Sequence, residues 1–490
     1  MELSLKQDLM LLTPLVVITC GAFLLLVLEA FLKGAWSRAT VTAIMIMIAM
    51  LGAIYYAPMF ATGQTSFHGL VYTDCFAWFV GLVMLTGALL TVFMGSGSLY
   101  KEGVETPTEY YALLLFSLAG CLIFIASAEL ITFFLALELM SMALYCLAGS
   151  ALKSKASSEA ALKYFLLGSF SSAFLLYGIA LIFGITGSTF IADIIPMLNS
   201  DSSTILYIGL GLMLVGLVFK LGAVPFHFWA PDVYQGSPTP VTAFMATVVK
   251  AAAAAGALRI MWTLFGDFFP VWEGAVWILA ALTILVGNVV ALRQRSVKRM
   301  LAYSSIAHAG YILIGFLVPG AKYAGGAGIL YYLLIYSLMT IGAFGVVFAV
   351  SSAVTDERSS DDISRFYGLS KSSPLISFLM IIFMLSLAGL PPAMGGFLGK
   401  FYIFSSAIKA NQIGISLIGI AGSLISCYYY LRVIVAMYFI EQEGEEIYPV
   451  PQPSFTLAST LVLCALGVIL LGVFPGGIYE VAARAVSGLY

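Results

Sequence analysis

Stretches of about 20 apolar residues, hardly interrupted by charge, recur along the whole chain, and about fourteen can be counted. Nothing else in the sequence constrains the fold so tightly. A run of that length crosses the hydrocarbon core of a bilayer as a helix, because there every backbone N–H and C=O must find its partner within the segment. Barrel strands would show a polar residue at every second position, and these runs do not. With 61% hydrophobic and 9% charged residues, the 490-residue chain reads as an all-α integral membrane protein rather than a string of soluble domains. The first run, from about Leu9 to Leu32, is longer than a signal-peptide core and follows Glu2, Lys6 and Asp8, so it is read as a retained first helix.

Several functions fall away. The formal charge of -2 comes without a dense basic run, which argues against nucleic acid. Cys20, Cys75, Cys121, Cys146, Cys427 and Cys464 form no C-x-x-C pair and do not cluster with the three histidines, so neither iron–sulfur ligation nor a disulfide framework follows. No glycine-rich nucleotide string appears. No cofactor is expected on this chain; if electrons move in its system, another chain carries them.

Helices 1 to 3 are predicted at about 9–33, 38–61 and 70–95, and a polar link from Ser96 to Thr108 sets this N-terminal segment, 1–108, apart. Helices 4 to 8 fill 109–265, helices 9 to 13 fill 270–440, and 441–490 holds an acidic loop and the last helix. Helices 7 and 12 are broken. In FKLGAVPFHFWAPDVYQGSPTP, from Phe219 to Pro240, a lysine inside an apolar run is followed by Pro225, His227, Trp229 and Asp232. In LAGLPPAMGGFLGKF, from Leu387 to Phe401, Pro391 and Pro392 precede Lys400. The breaks lie five helices apart, an odd number, so two five-helix units would cross the membrane in opposite senses as inverted repeats. Proline often kinks a membrane helix without further purpose. A lysine beside each break, before the proline in one and after it in the other, argues for more. An intramembrane lysine costs roughly 2.5–3.5 kcal/mol on insertion scales.

Basic residues in loops set the orientation. Twelve lie after odd-numbered helices, among them Lys33, Lys101, Lys153, Lys298 and Arg358, against Lys6, Lys322, Lys409 and Arg484 on the other side. Both termini are therefore predicted to face away from the cytoplasm, and the acidic run from Glu441 to Glu446 to face it. Six basic residues remain for the helices: Lys163, Lys220, Lys250, Arg259, Lys400 and Arg432. Lys163, Arg259 and Arg432 sit where long stems can reach the interface. Lys250 lies about eleven residues into helix 8, roughly 16 Å, near the midplane. Lys220 and Lys400 are also central if each broken helix counts as one span. Glu138, in TFFLALELMSM, is the clearest interior acid.

Burial disfavours the charged form of a side chain and an opposite charge favours it, so a Glu–Lys pair in a partly wetted channel can change protonation as it opens and closes. A proton relay needs that property. Glu138 and Lys220 are the predicted pair, across helices 5 and 7. His227 and His308 titrate near neutrality and can hand protons between lysines. For each of these groups the alternative is packing: a static buried ion pair, or a histidine satisfied within the core.

FKLGAVPFHFWAPDVYQGSPTPVTAF, LALELMS, SSEAALKYF, LAYSSIAHAGY, LAGLPPAMGGFLGKFYIF and YYYLRV together resemble the proton-translocating antiporter-like subunits of respiratory complex I, NADH-quinone oxidoreductase, and within them the subunit N branch. The resemblance covers almost the whole chain. It implies fourteen helices, inverted repeats broken at helices 7 and 12, proton-channel residues at Glu138, Lys220, Lys250 and Lys400, and connecting residues at Lys163 and His227. It also implies a bacterial inner membrane, partner subunits that carry FMN and iron–sulfur clusters and handle NADH and quinone, and other antiporter-like and small membrane subunits as neighbours. Subunit L of that family adds a long lateral helix after this core, and subunit M has a glutamate where Lys400 stands. The D subunit of Mrp-type sodium/proton antiporters shares the length and the helix 12 lysine but departs from WAPDVYQG after the break.

Overall fold

Apolar runs that cannot bond to water close their own backbone hydrogen bonds, and the chain is helical almost throughout. The computed structural model describes residues 5–28, 35–57, 64–198, 204–320, 324–351, 361–441 and 453–489. The N-terminal segment contributes α1 (Thr13–Leu28), α2 (Ala35–Tyr55) and α3 (Cys75–Gly95). The first five-helix set is α4 (Pro107–Ala126), α5 (Leu130–Ala148), α6 (Lys155–Thr186), α7a (Thr204–Leu221) with α7b (Trp229–Gly236), and α8 (Thr239–Leu264). The second is α9 (Phe269–Ala291), α10 (Val297–Phe316), α11 (Gly325–Ser351), α12a (Pro374–Ala388) with α12b (Met394–Lys409), and α13 (Ile413–Phe439). Then come α14 (Phe455–Val473) and α15 (Gly476–Ser487).

Among the described residues eleven helices are long and apolar enough to cross a membrane. The remaining predicted spans are less regular: α1 and α12a are apolar but short, and α10 opens with Lys298 and Arg299 in its first turn. α8 and α11 are enclosed by the others, whereas α6 turns Phe170 and Tyr177 outward. The centre of the bundle is thus where α8 meets α10 and α11.

Both predicted breaks are present. α7 unwinds between Leu221 and Trp229, α12 between Ala388 and Met394, and a glycine in the left-handed region opens each gap, Gly222 at φ +72° and Gly389 at φ +81°. Any larger residue would be strained there, and a Cβ on Gly389 would also lie 3.3 Å from the stem of Lys400. One boundary differs from the sequence expectation. Residues 70–73 were predicted to begin helix 3, but Val71–Thr73 pairs as a strand with Gln64–Ser66, and α3 starts only after Asp74, which accepts the Ala77 N–H at 2.8 Å. β-Branched residues suit the strand, and the aspartate is a strong N-cap.

Loops after odd-numbered helices meet on one side of the bundle. There Lys153 pairs with Glu105 at 2.5 Å, Thr239 donates to Glu102, Ser296 to Asp361, and Lys371 pairs with Glu441 at 2.6 Å, holding that carboxyl below its usual range. The opposite side joins Val71 to Ser127 and Gln412 to Glu273. Lys298 is a correction: it is buried and donates to Ser237 O at 2.6 Å rather than standing free in a loop. Lys33, Lys322, Arg358 and the acidic residues Glu443 to Glu446 lie outside the described residues.

Candidate functional site

Lys220 occupies the last turn of α7a, just before the chain unwinds, and is 5% exposed. Its Nζ donates to Ser141 Oγ at 2.8 Å and to Tyr164 OH at 3.2 Å. Ser141 donates its own proton to Leu137 O, which leaves its lone pairs for the lysine. Tyr164 stacks on Trp229 with ring centres 4.6 Å apart, and the Trp229 indole N–H donates to Phe219 O at 3.1 Å. The first turn of α7b is thereby folded back over the end of α7a. A narrow cleft beside Lys220 is lined by Ser141, Tyr145, Ser171 and Ser172.

The predicted contact between Glu138 and Lys220 is not made. Glu138 lies on α5 one turn before Ser141, half-buried, with Oε1 buried and unpartnered, and the lysine tip ends on the serine instead. Counting residues along two helices gives a common depth, but it does not say which member of a helix face a neighbouring side chain meets.

Lys250, 3% exposed, follows a π-helical turn at Met245–Val249. Such turns are often found at functional sites. Its Nζ donates to Ser305 O at 2.6 Å and to Ser305 Oγ, which also accepts Tyr336 OH at 2.9 Å. The Tyr336 ring lies 5.1 Å from that of His308. His308, whose predicted alternatives were relay and packing, bonds through Nδ1 to Tyr332 OH and through Nε2 to Tyr430 OH at 3.0 Å, and Tyr430 OH bonds Ser304 Oγ. Lys400, 4% exposed, donates to Leu387 O at 2.9 Å, Ala388 O at 3.0 Å and Ser423 Oγ at 2.9 Å, and lies 5.1 Å over the Tyr311 ring. Two of those acceptors are carbonyls at the end of α12a, where the break leaves them without intrahelical donors. A tract of hydroxyls and imidazole therefore fills the space between Lys250 and Lys400. Among the described residues no carboxylate comes within 4 Å of the three lysines.

The remaining predicted residues stand apart from this line. Lys163 is half-exposed and pairs with Glu159 at 2.6 Å and Asp232 at 2.7 Å, and Asp232 also accepts Arg299 at 2.8 Å. His227 is buried in the α7 break, its Nδ1 without a partner. Arg432 reaches the carbonyls of Leu292 and Gln294 at the end of α9. Arg259 overturns the interface reading. It is 2% exposed, clasps Asp74 through Nη1 and Nη2 at 2.8 and 2.9 Å, and donates Nε–H to Ile125 O at 2.8 Å. No local sequence signal marks Asp74 as the partner of a residue so far along the chain.

All of the predicted site residues fall within 127–426, the stretch matched by a family model described as NADH:quinone oxidoreductase/Mrp antiporter, TM. The chain belongs to this family. Within it, NADH-quinone oxidoreductase subunit N of Trichlorobacter lovleyi is 44% identical over 445 residues, 90% of each chain. A chain of respiratory complex I from Thermus thermophilus, solved with bound aureothin, superimposes with a TM-score of 0.80 at 34% identity, covering 96% of this chain and 99% of that one. A chain of the Mrp complex from Dietzia sp. reaches a TM-score of 0.85 at 20% identity, over 99% of this chain and 98% of that one, and shares the fold.

Proposed function

We propose that the chain is the subunit N-type proton-translocating membrane subunit of an NADH:quinone oxidoreductase. Partner subunits carrying FMN and iron–sulfur clusters oxidise NADH and reduce quinone, and this chain moves protons from the cytoplasm across a bacterial inner membrane, with both termini on the far side. The observation that carries the reading is the set of three buried lysines, Lys220, Lys250 and Lys400, each bonded to neutral oxygens, with His308 between the last two in ring contact with Tyr336 beside Lys250 and with Tyr311 beneath Lys400. Ionisable groups buried in membrane helices are expensive, and they mark ion and proton pathways.

In this reading the units 109–265 and 270–440 each supply part of the route. A lysine Nζ–H passes its proton to a bound hydroxyl oxygen as that hydroxyl gives its own proton onward, and the lysine is reprotonated from the preceding group. Glu138 acts on Lys220 across Ser141, its charge favouring the ammonium form. Lys163, gripped by Glu159 and Asp232, sits at the cytoplasmic mouth, and His227 lies within the α7 break.

The test is Lys400→Ala in the assembled complex. Proton pumping and quinone reduction should fall while NADH oxidation with an artificial acceptor persists; undiminished pumping removes Lys400 from the path. Solubilised wild-type chain should co-purify with flavin and iron–sulfur subunits, and recovery with Mrp proteins that lack redox centres would overturn the assignment.

A further inference from the structure

Thr283 is fully buried in α9 and touches none of the three lysines. Its hydroxyl donates to Leu279 O at 2.5 Å, one turn back, and so presents its lone pairs away from its own helix. There it accepts the Val224 N–H at 3.0 Å. Val224 lies in the unwound segment between α7a and α7b, four residues after Lys220. An amide freed by unwinding and buried must be paired from outside its helix. Here the partner comes from the first helix of the second five-helix set.

α9 in turn is packed backbone to backbone against α10. A Cβ added to Gly310 would come within 3.0 Å of Ile284 N, and one added to Gly287 within 2.7 Å of Ala307 N. α10 carries Ser305, which holds Lys250, Tyr311, whose ring lies under Lys400, and His308, which bonds Tyr332 and Tyr430 between them. α9 also reaches that network directly. Asn288, five residues beyond Thr283, donates to Tyr311 OH at 3.3 Å and accepts Tyr429 OH at 2.9 Å. Close-packed elements transmit a displacement because they have no free volume in which to absorb it.

We infer that Thr283 is a positioning residue that ties the break in α7 to the α9–α10 pair, so that a shift of the break at Lys220 carries the partners of Lys250 and Lys400 with it. The link runs beside the hydroxyl tract and moves no proton itself. It rests on the proton-translocating reading for its purpose but not for its geometry.

The test compares Thr283→Val, which keeps the shape and removes the acceptor, with Thr283→Ser, which restores it, in the complete complex in its membranes. An orphaned buried N–H biases the break by about tenfold, so Thr283→Val is expected to lower protons moved per NADH oxidised by about that factor, and Thr283→Ser to recover to within about twofold of wild type. If the two variants behave alike, whether intact or impaired, the inference is overturned. Should Thr283→Val fail to assemble, amide exchange in the wild-type complex decides: Val224 must be as protected as the interior amides of α7a, and exchange at the rate of an open loop overturns the link. If Lys400→Ala leaves pumping untouched while Val224 stays protected, the proton reading fails and the link stands as a structural tie.

Discussion

Arg259→Met should destabilise the protein by a large and calculable amount. The guanidinium makes three hydrogen bonds, two to Asp74 and one to Ile125 O, with both side chains almost wholly out of solvent. Removing one member of such a pair leaves the other charge buried and uncompensated, at a cost of about 3–5 kcal/mol. If the unfolding barrier feels about 3 kcal/mol of that, the half-life of the solubilised complex at a fixed temperature shortens by about a hundredfold. Asp74→Asn should do comparable damage from the other side, since it leaves the arginine without its counter-charge. The amide still caps α3, so the asparagine is not confounded by a lost helix cap. With Arg259→Met and Asp74→Asn combined, no charge is stranded and the half-life should return to within about fivefold of wild type. Inactivation kinetics of the two single variants and the double variant measure the coupling. A double variant that decays as fast as the worse single one, or single variants indistinguishable from wild type, would refute the reasoning.

Glu138→Gln should lower proton pumping while the partner subunits continue to oxidise NADH, and the swap of Glu138→Lys with Lys220→Glu should not restore pumping, because positions 138 and 220 are not in contact and the Lys220 tip ends on Ser141 in the native chain; restored pumping would put the two side chains in direct contact. Lys101→Cys should react with an impermeant thiol reagent only from the cytoplasmic side, and labelling from outside would reverse the orientation.

Most helix positions and both breaks were legible because apolar length and proline are local signals. The partners were not. Helices such as α11 and α8 are buried on nearly every side, so no contrast between a core face and an exposed face reveals which neighbour each side will meet. Ser141, Ser305, Tyr332, Tyr336 and Tyr430 therefore looked like ordinary membrane-helix residues until the packing brought them to Lys220, Lys250 and His308. Arg259 misled for a related reason: closeness to a helix end predicts an interfacial charge, but the strand Val71–Thr73 and the start of α3 cover that end and supply Asp74. The clamp of Lys163 and Arg299 on Asp232 joins residues from three helices, and although Lys163 and Asp232 each stood out within their own strings, nothing there paired them.

Between its two π-turns α8 is regular from Lys250 to Arg259, and nine residues make about two and a half turns. The two charges consequently leave the helix on opposite sides, Lys250 toward Ser305 on α10 and Arg259 toward Asp74 at the head of α3. α8 is pinned like an axle held at both rims. A twist large enough to swing Lys250 away from Ser305 would drag the guanidinium off its carboxylate, so the helix resists torque, and the lysine must change partners by bending its own four-carbon stem.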